Sequence, residues 1–257
     1  MESITLLKIG GSVITDKHTP YTAQIDVIRT IAREVKKTPK KLLISHGSGS
    51  FGHTSASLYG GGKGYTDKWG IAKVAFDARE INHILMDIFI QEKLPAISLS
   101  PMSFLITKSG QVKQHVYEII AAVLQQGLLP VVYGDVIWDT QWKSTIYSGE
   151  KILNNIATYL TMHGYFVEKI IQVCNTNGVY DSNKKTIPFI EPKSWNEVKK
   201  LIKLSDVPDV TGGMLHKVED AVRMADKGIE TWIINGNDMH EIVRALAGEP
   251  IHGTVIL

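Results

Sequence analysis

The sequence predicts an α/β fold around a largely parallel open sheet, and three observations carry that expectation. Short apolar runs alternate along the chain with longer segments of helical period, the pattern of parallel strands joined by crossover helices. With 257 residues the chain can bury a large core, as one α/β domain or two lobes. Glycine turns follow two of the apolar runs directly, at the strand-to-helix positions where open sheets hold ligands.

Taken in order, Thr5–Ile9 is the first apolar run and leads into Lys8-Ile9-Gly10-Gly11-Ser12. A helix is expected over Ala23–Lys36 and a second strand over Lys41–Ser45. That strand runs into Ser45-His46-Gly47-Ser48-Gly49-Ser50-Phe51-Gly52-His53, and Gly60-Gly61-Gly62-Lys63-Gly64 reads as a mobile loop. Asp67–Gln91 is the longest expected helix. Its Ile71, Val74, Ala75, Ala78, Ile81, Ile84, Leu85 and Ile88 recur at spacings of three and four, which gives a wide apolar face. Leu94–Leu99 follows as a strand, His115–Gln126 as a helix, Leu128–Tyr133 as a strand and Glu150–His163 as a helix. Lys169–Val173 is a strand, Trp195–Leu204 and Met214–Lys227 are helices, and Glu230–Ile234, Met239–Ala247 and Thr254–Leu257 close the chain as strand, helix and strand. No Pro- or Ser-rich linker and no repeat divides it, and Val136–Ser148 reads as a seam within one sheet.

Composition narrows the function. A hydrophobic content of 44% with 21% charged residues suits a soluble globular enzyme. The net charge of +2 argues for neither a nucleic-acid nor a membrane partner, so any electropositive site is local. The single cysteine, Cys174, rules out an intrachain disulfide framework and suits a reducing compartment. No run of about 18 apolar residues appears and the start has no signal-peptide layout, so a cytoplasmic protein is expected.

The two glycine turns carry the chemistry. Each exposes backbone N–H groups, the usual way to hold phosphate, and His46 and His53 flank the second with donors of tunable charge. Lys8 ends a strand beside two glycines, where it can meet a transferring phosphoryl group, and Lys17 follows shortly after. Gly47, Gly49 and Gly52 also match the dinucleotide fingerprint, with Asp67 placed as a ribose-binding acid. The crowding of Ser48, Ser50 and His53 into that turn, and the separate loop after the first strand, weigh against hydride transfer. A plain tight turn would not need the histidines. The Walker pattern is absent, so a P-loop fold is not expected. Asp209-Val210-Thr211-Gly212-Gly213-Met214 precedes a helix carrying His216 and Lys217, which reads as a nucleotide-phosphate site or as an ordinary Thr-capped helix. Asp135 steers a lysine or a metal, or caps a turn. No metal-ligand spacing occurs among the histidines and Cys174.

Lys8-Ile9-Gly10-Gly11-Ser12, His46 through His53, Tyr133-Gly134-Asp135-Val136, Asn177-Gly178-Val179-Tyr180-Asp181 and Asp209 through Met214 come in that order. Together they resemble the amino acid kinase superfamily, most closely its isopentenyl phosphate kinases, over essentially the whole chain. The resemblance implies an αβα sandwich in one domain over 1–257, with an acceptor lobe at about 1–148 and a nucleotide lobe at about 149–257. It implies ATP with Mg²⁺, a small phosphorylated acceptor and a homodimer. Lys8, Gly10, Gly11 and Ser12 would hold the transferring phosphoryl group, and Lys17 would stabilise charge between donor and acceptor. Ser48 and His53, beside Gly47, would bind the acceptor phosphate, and Gly149 would close over it. Gly49, Gly213 and Lys217 would serve ATP.

The chain departs from relatives in reading Cys174-Asn175-Thr176-Asn177-Gly178 for Thr-Asp-Val-Asp-Gly and Ser148-Gly149-Glu150-Lys151 for Ser-Gly-Asp-Asp. The resemblance places Asn175 where an Asp orients the catalytic lysines, and Asp135 is then a candidate replacement carboxylate. The alternatives are a fosfomycin-type phosphonate kinase and a nucleotide-binding protein without turnover.

Overall fold

The computed structural model describes residues 2–59, 64, 67–203 and 213–257. Of the expected features, 60–63 of the glycine run and 209–212 before the Lys217 helix lie outside them. The N-terminal half contains β1 (Glu2–Ile9), α1 (Gly11–Ile14), α2 (Ile25–Lys37), β2 (Lys41–His46), α3 (Gly49–Tyr59), α4 (Lys68–Gln91) and β3 (Ala96–Ser98). After a 3₁₀ turn come β4 (Leu105–Lys108), β5 (Gln111–His115), α5 (Glu118–Gln125), β6 (Leu129–Tyr133), β7 (Asp135–Asp139) and β8 (Lys143–Tyr147). The rest is α6 (Gly149–Met162), β9 (Tyr165–Cys174), β10 (Phe189–Ile190), α7 (Trp195–Lys203), α8 (Gly213–Ala225), β11 (Glu230–Asn235), α9 (Met239–Ala247) and β12 (Gly253–Ile256).

Among the described residues the main sheet has eight strands in the order β10-β12-β11-β9-β1-β2-β6-β3, and only β11 and β12 pair antiparallel there. β1 lies near its centre and is buried continuously from Ile4 to Ile9, because helices cover both faces. Strand alternation sorts its side chains. Leu7 and Ile9 pack with α2, α4 and α9, whereas Ile4 and Leu6 pack with α5 and α6. A third apolar cluster seats α7 and α8 on Ile233 and Ile256. The result is the αβα sandwich.

Three features differ from the sequence reading. The stretch Val136–Ser148 is not a seam in one sheet but part of a second, four-stranded sheet in the order β5-β4-β7-β8. Its corner is built on Asp139, whose carboxylate accepts N–H groups from Ser109, Gly110, Gln141 and Trp142 and the Thr107 hydroxyl. Burial would push that carboxyl up, but these donors outweigh it and hold it well below the usual range. Second, His115 ends strand β5 and does not start a helix; the exposed β5 lacks the alternation that marks a strand. Third, α3 was not expected, since its Gly, Ser and Ala residues carry no apolar stripe. The long helix behaves as expected, with Asp67 as its N-cap, accepting from Trp69 N at 3.0 Å. That contact gives Asp67 a helix-capping role.

Candidate active site

β1 and β2 are adjacent parallel strands that end level, with Ile9 opposite His46, so the two glycine turns leave the sheet side by side. Gly10 N donates to Val173 O at 2.8 Å and Gly47 N to Ile9 O at 3.0 Å, which fixes both turns to the strand ends. They touch through bare backbone: a Cβ on Gly11 would lie 2.3 Å from Gly49 N. Thr15 ties them together. Its buried hydroxyl donates to Gly11 O at 2.8 Å and accepts from Ser50 N at 2.9 Å. No sequence motif marks Thr15, because its contacts join segments far apart in the chain.

The N-termini of α3, α6 and α8, each the positive end of a helix dipole, lie at this edge of the sheet. Gly149 begins α6 under the end of β2, where a Cβ would lie 2.7 Å from Ser45 Oγ and 2.9 Å from His46 O. Ser45 Oγ donates to Gly149 O at 3.0 Å and locks that approach. Gly213 is the first residue of α8.

Lys8 shares the parity of Ile4 and Leu6, so it faces α6 from inside the sheet. Only 4% exposed, it meets Glu150 in the first turn of α6, with Nζ 2.6 Å from Oε1. Lys217 of α8 approaches the same oxygen at 3.8 Å, and its Nζ lies 3.8 Å from Cys174 Sγ. Burial pushes the Glu150 carboxyl up, but the charges of Lys8 and Lys217 outweigh it, and the group ends at about 2.

This triad corrects the sequence reading. The carboxylate between the lysines is Glu150, from Ser148-Gly149-Glu150-Lys151, and neither position 175 nor Asp135 supplies it. Asn175 Nδ2 donates to Ser12 O at 3.2 Å, so it ties the end of β9 to the first glycine turn. Asp135 is buried away from the lysines. Burial pushes it up to about 7, only partly opposed by the Val136 N–H, Arg79 and Ser100.

The two histidines also part company. His46 is fully buried, stacked on Tyr133 at 5.6 Å and held by Asn82 Oδ1 at 3.2 Å and Gly47 O at 3.1 Å. Burial pushes its pKa down, against both hydrogen bonds, which favour the charged ring, and the enclosed imidazole forms a floor beneath the second glycine turn. His53 is exposed on α3. Ser48 lies just before α3, its side chain against Gly52. Lys17 is exposed and makes no ion pair among the described residues. The structure therefore brings together Lys8, Gly10, Gly11, Ser12, Gly47, Ser48, Gly49, Gly149, Asn175 and Lys217, with His53 on the adjoining helix.

One turn beyond His53, Ala56 and Tyr59 of α3 join an apolar cluster with Ile71, Val74 and Ala75 of α4, Met102 and Val136. A cleft of about 440 Å³ opens beside it, lined by Ile71, Ala75, Phe76, Met102 and Trp138 with Lys68, Ala72 and Arg79. Among the described residues no group of three His, Cys, Asp or Glu stands together as a metal site.

A corner with paired lysines, glycine amides and converging helix N-termini on this sandwich defines a phosphate-handling enzyme, a small-molecule kinase. Comparison with known proteins agrees: the chain belongs to the amino acid kinase family, whose model, described as "Amino acid kinase family", matches residues 3–235. It is 33% identical over 98% of both chains to the isopentenyl phosphate kinase of Methanothermobacter thermautotrophicus, and 30% identical over 98% of both to that of Methanocaldococcus jannaschii. A solved isopentenyl phosphate kinase superposes with a TM-score of 0.83 at 29% identity, covering 98% of this chain and 100% of the other.

Proposed function

We propose that the chain transfers the γ-phosphoryl group of MgATP to a phosphate oxygen of isopentenyl phosphate, giving isopentenyl diphosphate and ADP. The observation that carries this reading is the Lys8–Glu150–Lys217 triad against two touching glycine turns, next to an apolar cluster one helical turn from His53. The acceptor defines the chemistry. A phosphate monoester has a second pKa of about 6, so its oxygen is already an anionic nucleophile at neutral pH and no strong base is needed. What remains is to align two polyanions and screen their repulsion.

In this reading Lys8 and the amides of Gly11, Ser12 and Gly49 hold the transferring group, with Gly10 giving close backbone approach, and Lys217 with the Gly213 end of α8 neutralises the nucleotide phosphates. Glu150 keeps the two lysines at one point. Asn175 steadies the first turn through Ser12. Ser48, Gly47, Gly149 and His53 bind the acceptor phosphate, and Lys17 adds charge between donor and acceptor. Mg²⁺ would come with the nucleotide, held by its phosphates, and would screen the charge on the transferring group. The five-carbon tail lies against Ile71, Val74, Ala75 and Val136.

No helix among the described residues is long and apolar enough to cross a membrane, in keeping with a cytoplasmic location. A homodimer through the β3 edge is part of the reading, supported by exposed Ile97 on that edge strand and exposed Phe76 and Ile90 on α4.

The test is ADP release with MgATP and isopentenyl phosphate, dimethylallyl phosphate, fosfomycin or no acceptor. Release that depends on isopentenyl phosphate supports the reading. Release driven best by fosfomycin moves the acceptor class to phosphonates, and ATP binding without release on any acceptor points to a binding protein.

A further inference from the structure

The geometry points to Tyr21 as a positioning residue for Lys17, the far anchor of the loop that carries it; the kinetic consequence rests on the reading that Lys17 serves phosphoryl transfer. The loop is a tight excursion closed by the bridge between Thr15 and Ala23. Asp16 N donates to Thr22 O at 2.9 Å, and the Asp16 carboxylate accepts from His18 N at 2.8 Å and Thr19 Oγ1 at 3.0 Å. Lys17 stands exposed inside it. A lysine has a long flexible stem, so its charge keeps a position only if the backbone beneath it is held.

The near end of the loop is held by Thr15, which bonds both glycine turns. The far end leans on a ring. Tyr21 meets Phe51 of α3 edge-on, with centroids 5.8 Å apart, and Lys73 Nζ of α4 sits 5.1 Å from its centroid. Its backbone is left-handed, with φ of 55°, a region that a bulky residue occupies only when its surroundings impose it. Lys73 is fixed in turn by an ion pair to Asp77, which is 2% exposed. The second Asp77 oxygen is buried without a hydrogen-bond partner among the described residues, and the Tyr21 hydroxyl is pushed up by burial and by that carboxylate. Ring, ammonium and carboxylate therefore form one clasp over the α3–α4 groove. Lys73 and Asp77 flank Val74 and Ala75, so the Lys17 loop is clipped to the helix that borders the apolar cluster.

A double-mutant cycle with an exchange arm tests this. Tyr21→Ala is expected to lower kcat about tenfold to a hundredfold with the KM for MgATP unchanged, because a catalytic cation is misplaced. Tyr21→Phe keeps the ring and restores most of the rate. In a Lys17→Ala background, Tyr21→Ala changes kcat by less than about twofold, since the group it positions is gone. An equal loss in both backgrounds, or no loss in either, overturns the proposal. Hydrogen exchange decides the anchor independently of the acceptor: the Asp16 and His18 amides lose protection in Tyr21→Ala while β1 and β2 keep theirs. Unchanged protection overturns the anchor, whereas a wild type that releases no ADP counts against the kinase reading alone. Asp77→Asn, which leaves the ring in place, gives a smaller loss of the same kind if Tyr21→Ala does not fold.

Discussion

Two influences oppose each other at Glu150. Burial raises the free energy of its charge, while Lys8 at 2.6 Å and Lys217 at 3.8 Å lower it, and the carboxyl moves from 4.5 to about 2. A depressed acid contributes stability that is fully present above its unfolded value and is lost as pH falls through its folded one. The window here is from about 4.5 to about 2, and the contribution is of order 3 kcal/mol. Glu150→Gln keeps the shape and removes the charge. It is expected to destabilise the protein by about 3 kcal/mol at pH 7, because Lys8 is left buried without a counter-charge. Urea unfolding at pH 7 and pH 3 checks it, since the variant's deficit shrinks at the lower pH. Asp135 has the opposite sign: raised to about 7 by burial, it weakens the fold progressively as pH rises from 3.8 to about 7. Asp135→Asn is expected to melt higher than wild type at pH 8 and to lose that advantage near pH 4. The two carboxylates also mark how far the sequence could be read. Lys8 was legible because it ends a strand beside two glycines. Its partner was not, because Glu150 meets it through a helix packed on the sheet, and no local spacing records that contact.

At the scale of elements, α4 does two things with one amphipathic surface. Ile81, Leu85, Ile88 and Phe89 seat it on the sheet, while Val74 and Ala75 face Val136 and the residues of α3 beyond His53. The three-and-four spacing made that helix and its apolar face readable. It could not divide the face between the sheet core and the smaller cluster with α3, because both demand the same residue types. Val74→Phe fills the cluster and is expected to lower kcat/KM for isopentenyl phosphate by about 10- to 200-fold, since small changes in an apolar pocket are worth that much. The KM for MgATP stays as in wild type. Steady-state kinetics over acceptors of increasing tail length check it, and an unchanged length preference would remove the tail from this cluster. The shorter α3 escaped notice for the opposite reason. Its first turn is built of glycine and serine for backbone approach to the neighbouring turn, and that composition suppresses the helical signal.

For the whole molecule, alternating strands and helices were enough to expect a parallel sheet covered on both sides, since that architecture imposes its period on every segment. The second sheet was not legible. Its strands are short, β5 is exposed along most of its length, and β4 pairs with β7 across a long stretch of chain. The pairing of β11 with β12 is antiparallel, a direction that side-chain period alone does not encode. A site assembled from three helix N-termini and two strand ends should couple ligand to fold. MgATP at 100 times its Kd is expected to add about 2.7 kcal/mol, or roughly 5–10 °C in Tm for a chain of this size. Thermal melts with and without MgATP check that, and light scattering checks the homodimer. The most direct measurement is phosphorus NMR of the product formed from MgATP and isopentenyl phosphate. A pair of mutually coupled phosphorus signals beside those of ADP, much weaker in His53→Ala, is the expected result. Isopentenyl phosphate left as a single uncoupled signal while ATP is bound or hydrolysed would contradict phosphoryl transfer to a phosphate oxygen.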